Sequence, residues 1–198
     1  SCLKSIEWSA FAGTLIEEIC LPKSVIHIGR QSFMNCRKLH RVYFEKGAKD
    51  SNSSATVDFR IVGNWYDATK GAELTDAVIK NGVDVILPIC GGAATGVISS
   101  AKNNGAKITW FDDSGFSRAP DTIVSSTTNA QDKMAYEKTI EYLNNQTPWG
   151  QHKMVGVKEG FVDFIQNDNN YIKNVPLEVR DKMAILLEEI RNGKDVRN

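Results

Sequence analysis

Two rhythms of apolar positions divide the chain. Up to about residue 46 the apolar residues recur at long intervals. Ile16, Ile19 and Leu21 return as Leu39, Val42 and Phe44 at a shift of 23. Ile6 and Phe11 return as Ile28 and Phe33 at a shift of 22, so one residue is inserted within the unit. The unit reads I-x-x-x-x-F, then L-x-x-I-x-L. Its second half alternates, which suits a short strand with one covered face. Its phenylalanine would plug the space between stacked turns. A repeat of this kind cannot bury its face alone and usually needs three or more copies. About two are present, so the array is expected to be truncated or to pack on something else.

The next stretch, residues 47–56, is small and polar with no apolar period, and it reads as a linker. From residue 57 to 198 the rhythm changes to alternating strand and helix. Val57–Val62 alternates as a half-buried strand does. Asp67–Lys80 reads as a helix, with Asp67 as its N-cap and Asn81-Gly82 as its stop. Val83–Ile89 is a nearly continuous apolar run, the pattern of a strand covered on both faces. Ala94–Asn104 predicts a helix stopped by Gly105, Lys107–Phe111 a third strand and Thr122–Val124 a fourth. Gln131–Asn144 predicts a helix with Tyr136, Ile140 and Leu143 on one face. Met154–Val157 predicts a further strand. Leu177–Asn192 predicts a closing helix with Met183, Leu186, Leu187 and Ile190 on one stripe.

Strand and helix in alternation with short connections imply an α/β fold, a parallel sheet covered by helices on both faces. Ligands of such sheets sit at the carboxyl ends of the strands. The residues there are Asn64, Trp65, Tyr66 and Asp67 after the first strand, then Gly91 and Gly92 after the second. Asp112 and Asp113 follow the third, and Ser125 to Asn129 follow the fourth. Trp65 or Tyr66 offers a flat face for stacking a ring. Gly91 and Gly92 let a ligand approach the backbone. Asp112 or Asp113 can accept paired hydrogen bonds from a sugar diol. Each also has a plain structural reading: Asp67 as a helix cap, the glycines as a tight turn, Trp110 as core.

Composition narrows the function. With 24 basic and 24 acidic residues the formal charge is zero, which argues against a general nucleic-acid binder. The first fifty residues hold 8 basic and 5 acidic side chains, the rest 16 and 19. That asymmetry is too small to name a partner. No run approaches the roughly 18 apolar residues of a membrane span, and no signal-peptide pattern opens the chain, which begins with Ser. Cys2, Cys20, Cys36 and Cys90 form no C-x-x-C pair, and His27, His40 and His152 are scattered, so no zinc site is expected. The cysteines read as packing residues, with a Cys20–Cys36 disulfide open in an oxidising compartment. Gly91-Gly92 belongs to neither a Walker loop nor G-x-G-x-x-G, and no serine sits in G-x-S-x-G. No cofactor and no enzyme activity are expected.

Two resemblances add to this reading. Leu21-Pro-Lys-Ser-Val25, Ile28-Gly29, Ser32-Phe33 and Asn35-Cys36-x-x-Leu39 resemble the leucine-rich repeats of the BspA type. That resemblance covers about residues 3–45 and implies a surface interaction or adhesion module with a protein partner. The second is carried by Val62-Gly-Asn-Trp-Tyr-Asp67, Lys70-Gly71, Gly82-Val-Asp-Val-Ile86, Gly91-Gly92, Gly96-Val97-Ile98, Ala101-Lys102, Gly105 and Trp110-Phe-Asp112. Gln131-Asp-Lys-x-Ala135-Tyr136, Val155-Gly-Val-Lys-Glu-Gly160 and Ile190-x-x-Gly193 continue it. Over about residues 57–198 the chain resembles the second half of the basic membrane protein family, the lipoprotein receptors of ABC importers.

The family includes purine-nucleoside receptors and a riboflavin receptor. The resemblance implies one lobe of a type I periplasmic-binding-protein fold, a place in the cell envelope, periplasm or cell surface, and an ABC permease as partner. In the family two lobes close on a ligand whose ring is stacked between aromatics and whose ribose is held by an aspartate. Asp112 matches that aspartate, Gly91 or Gly92 the glycine that meets the ligand through its backbone, and Trp65-Tyr66-Asp67 would lie at the cleft. Asn129 stands where nucleoside receptors carry a lysine, which leaves room for riboflavin or another ring with a polyol. The repeats stand where the first lobe is expected, so the ligand site is expected to be incomplete. The implied function is a solute-binding component for nucleoside-like or flavin-like ligands. The alternative is a surface interaction protein built on the repeats with a decayed receptor lobe.

Overall fold

A computed structural model of the chain describes residues 5–7, 10–12, 14, 27–28, 45–151 and 155–194. The chain divides into two compact units, Ser1–Phe59 with Pro148–Lys153, and Arg60–Thr147 with Met154–Val196.

In the first unit, Ser5–Ile6 (β1) pairs in parallel with His27–Ile28 (β2), and Ile6 lies opposite Ile28. That is the register expected if the 22-residue period marks successive turns of a stack. The other repeat positions, including Phe33 and the stretches 16–21 and 39–44, lie outside the described residues, as do Cys2, Cys20 and Cys36. Residues 45–51, most of them expected as linker, are helical (α1), with Lys49 Nζ donating to Glu45 Oε1 at 2.7 Å one turn away.

The second unit holds the sheet and most of the helices. Its helices are Ala68–Lys80 (α2), Ala94–Asn104 (α3), Gln131–Leu143 (α4), Asn169–Asn174 (α5) and Leu177–Arg191 (α6). Val85–Ile86 (β3), Lys107–Trp110 (β4), Ile123–Asn129 (β5) and Val162–Phe164 (β6) form one sheet in that order. β3, β4 and β5 run parallel. β6 runs antiparallel to β5, so the sheet is mixed rather than purely parallel. The reason lies in α4. A parallel strand needs a crossover that carries the chain back to the opposite edge. α4 buries no residue and the chain re-enters near where β5 leaves, with the Ala130 N–H donating to the Phe161 carbonyl at 2.8 Å. A strand that enters there can only run backwards.

The same fact corrects the α4 stripe. Tyr136, Ile140 and Leu143 share a face as expected, yet all three are exposed. Helical periodicity marks a face; it does not supply what covers it. Three strand expectations are corrected too. Val57–Val62 is not a strand, and Phe59 and Ile61 remain 45% and 43% exposed. Alternation makes a strand only where a neighbouring backbone accepts the ladder. The apolar run Val83–Ile89 contributes only Val85–Ile86, because Ile89 and Cys90 turn back onto Leu87 and Pro88 through their N–H groups. Val155–Val157 is irregular and leads into a turn, and the strand comes at β6 instead.

The helices fall close to their expected positions because their ends are written locally. The Asp67 side chain accepts from the Lys70 N–H at 2.9 Å, satisfying one orphan donor of α2. Gly105 ends α3 in the left-handed region at φ 77. α2 buries Gly71, Thr75 and Val78, one face at helical spacing. α3 buries Gly96, Val97, Ser100 and Ala101. On the closing helix the predicted stripe faces inward, with Leu187 buried and Met183, Leu186 and Ile190 half-buried. The core gathers Ala101, Ala106, Ile108, Phe116, Ala119, Ile123 and Tyr171. Full burial of each large side chain contributes about 1.5–3 kcal/mol.

α2 and α3 meet backbone to backbone. A Cβ on Gly71 would stand 2.5 Å from the Ala93 carbonyl oxygen, and one on Gly96 would overlap the Ala68 carbonyl. Ser100 Oγ donates a short bond to Asp76 Oδ1, and Asn104 Nδ2 donates to the same oxygen at 3.1 Å, tying the far ends of the two helices. Gly96→Ala should therefore force the helices apart and destabilise the chain by about 3 kcal/mol, the upper range for overpacking. A urea unfolding curve of the variant checks this, and an unchanged midpoint would refute the close approach.

Candidate functional site

The candidate residues lie in the turns after β3 and β4, at the last residue of β5 and on the loop before α2, which follows no strand, all in the second unit. Residues 125–128, expected beyond the fourth strand, lie within β5, because the ladder with β4 and β6 carries it on to Asn129. They come together as two pairs of segments.

The first pair joins the 63–67 loop to the 90–93 turn. Asn64 Oδ1 accepts from the N–H groups of Tyr66 at 3.0 Å and Asp67 at 2.7 Å, a local turn that leads straight into α2. The Trp65 carbonyl accepts from the Ala93 N–H at 3.2 Å. Gly91 sits at φ 58, and a Cβ there would be 3.0 Å from the Trp65 carbonyl and 3.2 Å from its ring. A Gly92 Cβ would be 3.3 Å from the same carbonyl. The glycines therefore let the tryptophan loop close onto the turn before α3. Trp65 stays 67% exposed and Tyr66 81% exposed, so both rings stand open beside this turn. Asn64 and Asp67 use side-chain oxygens to shape the loop. Cys90, free and half-buried, has its thiol pushed up by burial, which keeps it in the unreactive neutral form.

The second pair joins β4 to β5. Asp112 follows β4 at φ 69, in the left-handed region that few non-glycine residues adopt. Its carbonyl accepts from the Asn129 N–H at 3.1 Å, and its Oδ1 accepts from Asn129 Nδ2 at 2.6 Å. Both side chains are exposed, so the remaining carboxylate oxygen and the Asn129 amide face solvent together. The neighbouring carboxylate has another role. Asp113 Oδ1 accepts from Trp110 Nε1 at 2.7 Å and its Oδ2 from Arg118 Nη2 at 2.6 Å. The two adjacent aspartates thus point to different partners, and the geometry separates them into a solvent-facing group and a loop brace. Trp110 is half-buried against the core, in keeping with its core reading. Sequence reasoning did not find Arg118, and it named Ser126 only as one of the strand-end run. Ser126 Oγ donates to the Asp113 carbonyl at 2.6 Å and accepts from the Gly115 N–H at 3.4 Å. Neither residue carries a motif, and their partners are set by the turn that folds 111–118 back over β5.

Comparison with known proteins supplies the family. The sequence profile described as ABC transporter substrate-binding protein PnrA-like matches residues 23–195. The chain belongs to that family. The match begins inside the stretch read as repeats, so the family text reaches further toward the N-terminus than residue 57. Basic membrane protein D of Borreliella burgdorferi is 29% identical over 153 residues, 76% of this chain and 44% of that protein. Basic membrane protein A of Borreliella afzelii is 28% identical over 155 residues, 77% and 46% of the two chains. The ABC transporter nucleoside-binding protein BmpA of Lactococcus lactis is 41% identical over 63 residues, 30% of this chain and 18% of that one. The chain thus spans about half the length of the Borreliella relatives it matches.

Solved structures confirm the fold of this PnrA-like chain. A transcriptional activator of the comK gene from Bacillus halodurans superposes with a TM-score of 0.66 at 24% identity, over 76% of this chain and 51% of that one. A solute-binding protein of an ABC transporter system from Aeropyrum pernix gives 0.52 at 17% identity, over 78% and 45%. Proteins of different roles share the architecture, so likeness at this level carries the fold alone. Among the described residues no cluster of His, Cys, Asp and Glu suits a metal ion, and no helix is long and apolar enough to cross a membrane.

The tight seat of Trp65 on Gly91 yields a direct expectation. Gly91→Ala should cost about 1–2 kcal/mol, from the left-handed backbone and the close contact with Trp65. Chemical denaturation reads the loss, and a variant as stable as the parent would show that the loop does not close as described.

Proposed function

We propose that this chain supplies a ligand-recognition face of an ABC importer's solute receptor, for a ring-bearing, hydroxyl-bearing ligand such as a nucleoside or a flavin. Family membership supports the receptor class, and a relative named as nucleoside-binding matches over part of the chain. The observation that carries the ligand chemistry is the Asp112–Asn129 pair. It offers a carboxylate acceptor, an amide acceptor and an amide donor at one sheet edge, the complement of sugar or polyol hydroxyls. Trp65 and Tyr66 add exposed rings at the neighbouring strand end, suited to stacking a planar base or isoalloxazine. Asn129 is neutral, so the pair does not select for a nucleoside over a flavin. The reading places the protein in the cell envelope, with an ABC permease as its partner.

These groups belong to one sheet edge, so the affinity of the 198-residue chain itself should be low. A micromolar receptor holds its ligand with about 8 kcal/mol, and roughly half of that corresponds to a millimolar dissociation constant. Titration with adenosine and with a soluble flavin, followed by NMR, should move the Trp65 indole and Asn129 amide signals in the millimolar range. Asp112→Asn and Trp65→Ala should each weaken that response about tenfold or more while leaving the spectrum of the core unchanged. Absence of shifts at these residues, or equal shifts in both variants, would sink the assignment.

A second reading rests on a separate observation. The parallel pairing of Ile6 with Ile28 at the 22-residue period supports a repeat stack in the first unit, with a role in binding a protein at the cell surface.

A further inference from the structure

Asp112 is held in a backbone conformation that its own contacts do not explain. Its side chain has one partner, Asn129, and both are exposed. The strain of a left-handed aspartate persists only where the surroundings over-determine it. Both of its contacts go to Asn129 at the far end of β5, whereas the contacts that fix the loop itself are made by the next residue. Asp113 receives Trp110 Nε1 at 2.7 Å on one carboxylate oxygen and Arg118 Nη2 at 2.6 Å on the other. The Arg118 guanidinium also lies over the Trp110 ring, 5.1 Å from its centroid. The Asp113 carbonyl takes the hydroxyl of Ser126, which is fully buried on β5, and the Asp113 N–H donates to the Phe111 carbonyl at 2.9 Å. Gly115 completes the turn, since any Cβ there would collide with the Trp110 ring.

From this arrangement we infer that Trp110, Asp113 and Arg118 form a clamp that positions Asp112. The clamp fixes residue 113 on all sides, so residue 112 must bridge from β4 to a fixed point in the one conformation that reaches it. That conformation turns the Asp112 carboxylate toward Asn129. Each member touches the other two, and Arg118 is the keystone because it closes the ring, by ion pair and by stacking, from an exposed position that the core does not need. An isolated exposed ion pair contributes little. This one shares its carboxylate with an indole N–H and its cation with an indole face, so three weak contacts act as one unit. The positioning role is independent of what Asp112 binds. Its value for recognition rests on the ligand reading proposed above.

The test uses the 198-residue chain and two readouts. Arg118→Ala removes the keystone from a half-exposed position and should not unfold the protein. Amide exchange of Asn129, whose N–H is held by the Asp112 carbonyl, should then speed about tenfold, equivalent to 1.4 kcal/mol. The Ile108 amide, held by the Thr122 carbonyl in the core of the same strand pair, should exchange at its original rate. Arg118→Lys keeps the charge but not the planar stack, and should restore part of the protection. Unchanged exchange at Asn129 would overturn the clamp, and so would equal acceleration at Ile108, which would mean general loosening. Adenosine binding is measured on the same variants. A matching tenfold loss of affinity in Arg118→Ala supports positioning for recognition. Full affinity with a released Asn129 amide overturns it. If the parent chain binds neither adenosine nor a soluble flavin, the ligand reading fails and the exchange result alone decides the clamp.

Discussion

The contact on which the candidate site depends is the backbone approach of α2 to α3. Two glycines facing carbonyl groups bring the helices closer than side chains would permit. Gly71 lies against Ala93 and Gly96 against Ala68, so the starts of both helices are drawn to one point. Because Ala93 also donates to the Trp65 carbonyl, the loop before α2 and the turn before α3 become a single surface. Trp65 and Tyr66 are exposed rings on that surface, not rings on a free loop. Glycine is needed there for the same reason a side chain is absent from any close backbone crossing.

The other half of the site depends on hydrogen-bond pairing instead. β4 and β5 run parallel, with a one-residue shift between Ile108 and Thr109. A shift of that kind re-aims the side chains beyond it. It pairs Trp110 with Ser126, and Ser126 then reaches the Asp113 carbonyl. The chain leaves β4 into a tight, braced loop, and Asp112 is presented to Asn129 at the end of β5. One half of the candidate site is thus held by helix packing, the other by strand register. Both converge on the carboxyl edge of the sheet, where α/β proteins place their ligands.

Electrostatics is arranged locally in the second unit. Asp121 has its carboxyl held below the ordinary value chiefly by the hydrogen bond from Lys173, with help from Asn174. Its stabilising contribution is complete above the unfolded-state value near 3.8 and is lost as the pH falls through the depressed one. The group is exposed, so this contact orients α5 more than it stabilises the chain. Arg191 Nη2, which donates to both carboxylate oxygens of Asp163, does the same for α6 against β6.

The helices, their ends and the strand-end candidates were legible in the sequence because their causes are local. Asp67 caps within three residues, Gly105 stops within one, and β4 comes at once after it. Gly91, Gly92 and Asp112 could be named because an apolar run predicts a strand before each of them, whereas Asn64 and Trp65 follow a stretch that alternates without forming a strand, and Asn129 closes a strand that runs five residues past its expected end at Val124. The elements that misread have non-local causes. Val57–Val62 alternates but has no ladder, and the α4 stripe is amphipathic but uncovered. β6 runs backwards because α4 does not cross the sheet. No local pattern could tell Asp112 from Asp113 either. That distinction belongs to Trp110, Arg118 and Ser126, up to thirteen residues away. Sequence by itself determined which residues stand in the turns after β3 and β4. Only the tertiary structure decided which of them are occupied by bracing and which remain open to a ligand, because hydrogen-bond partners are assigned by packing and not by spacing.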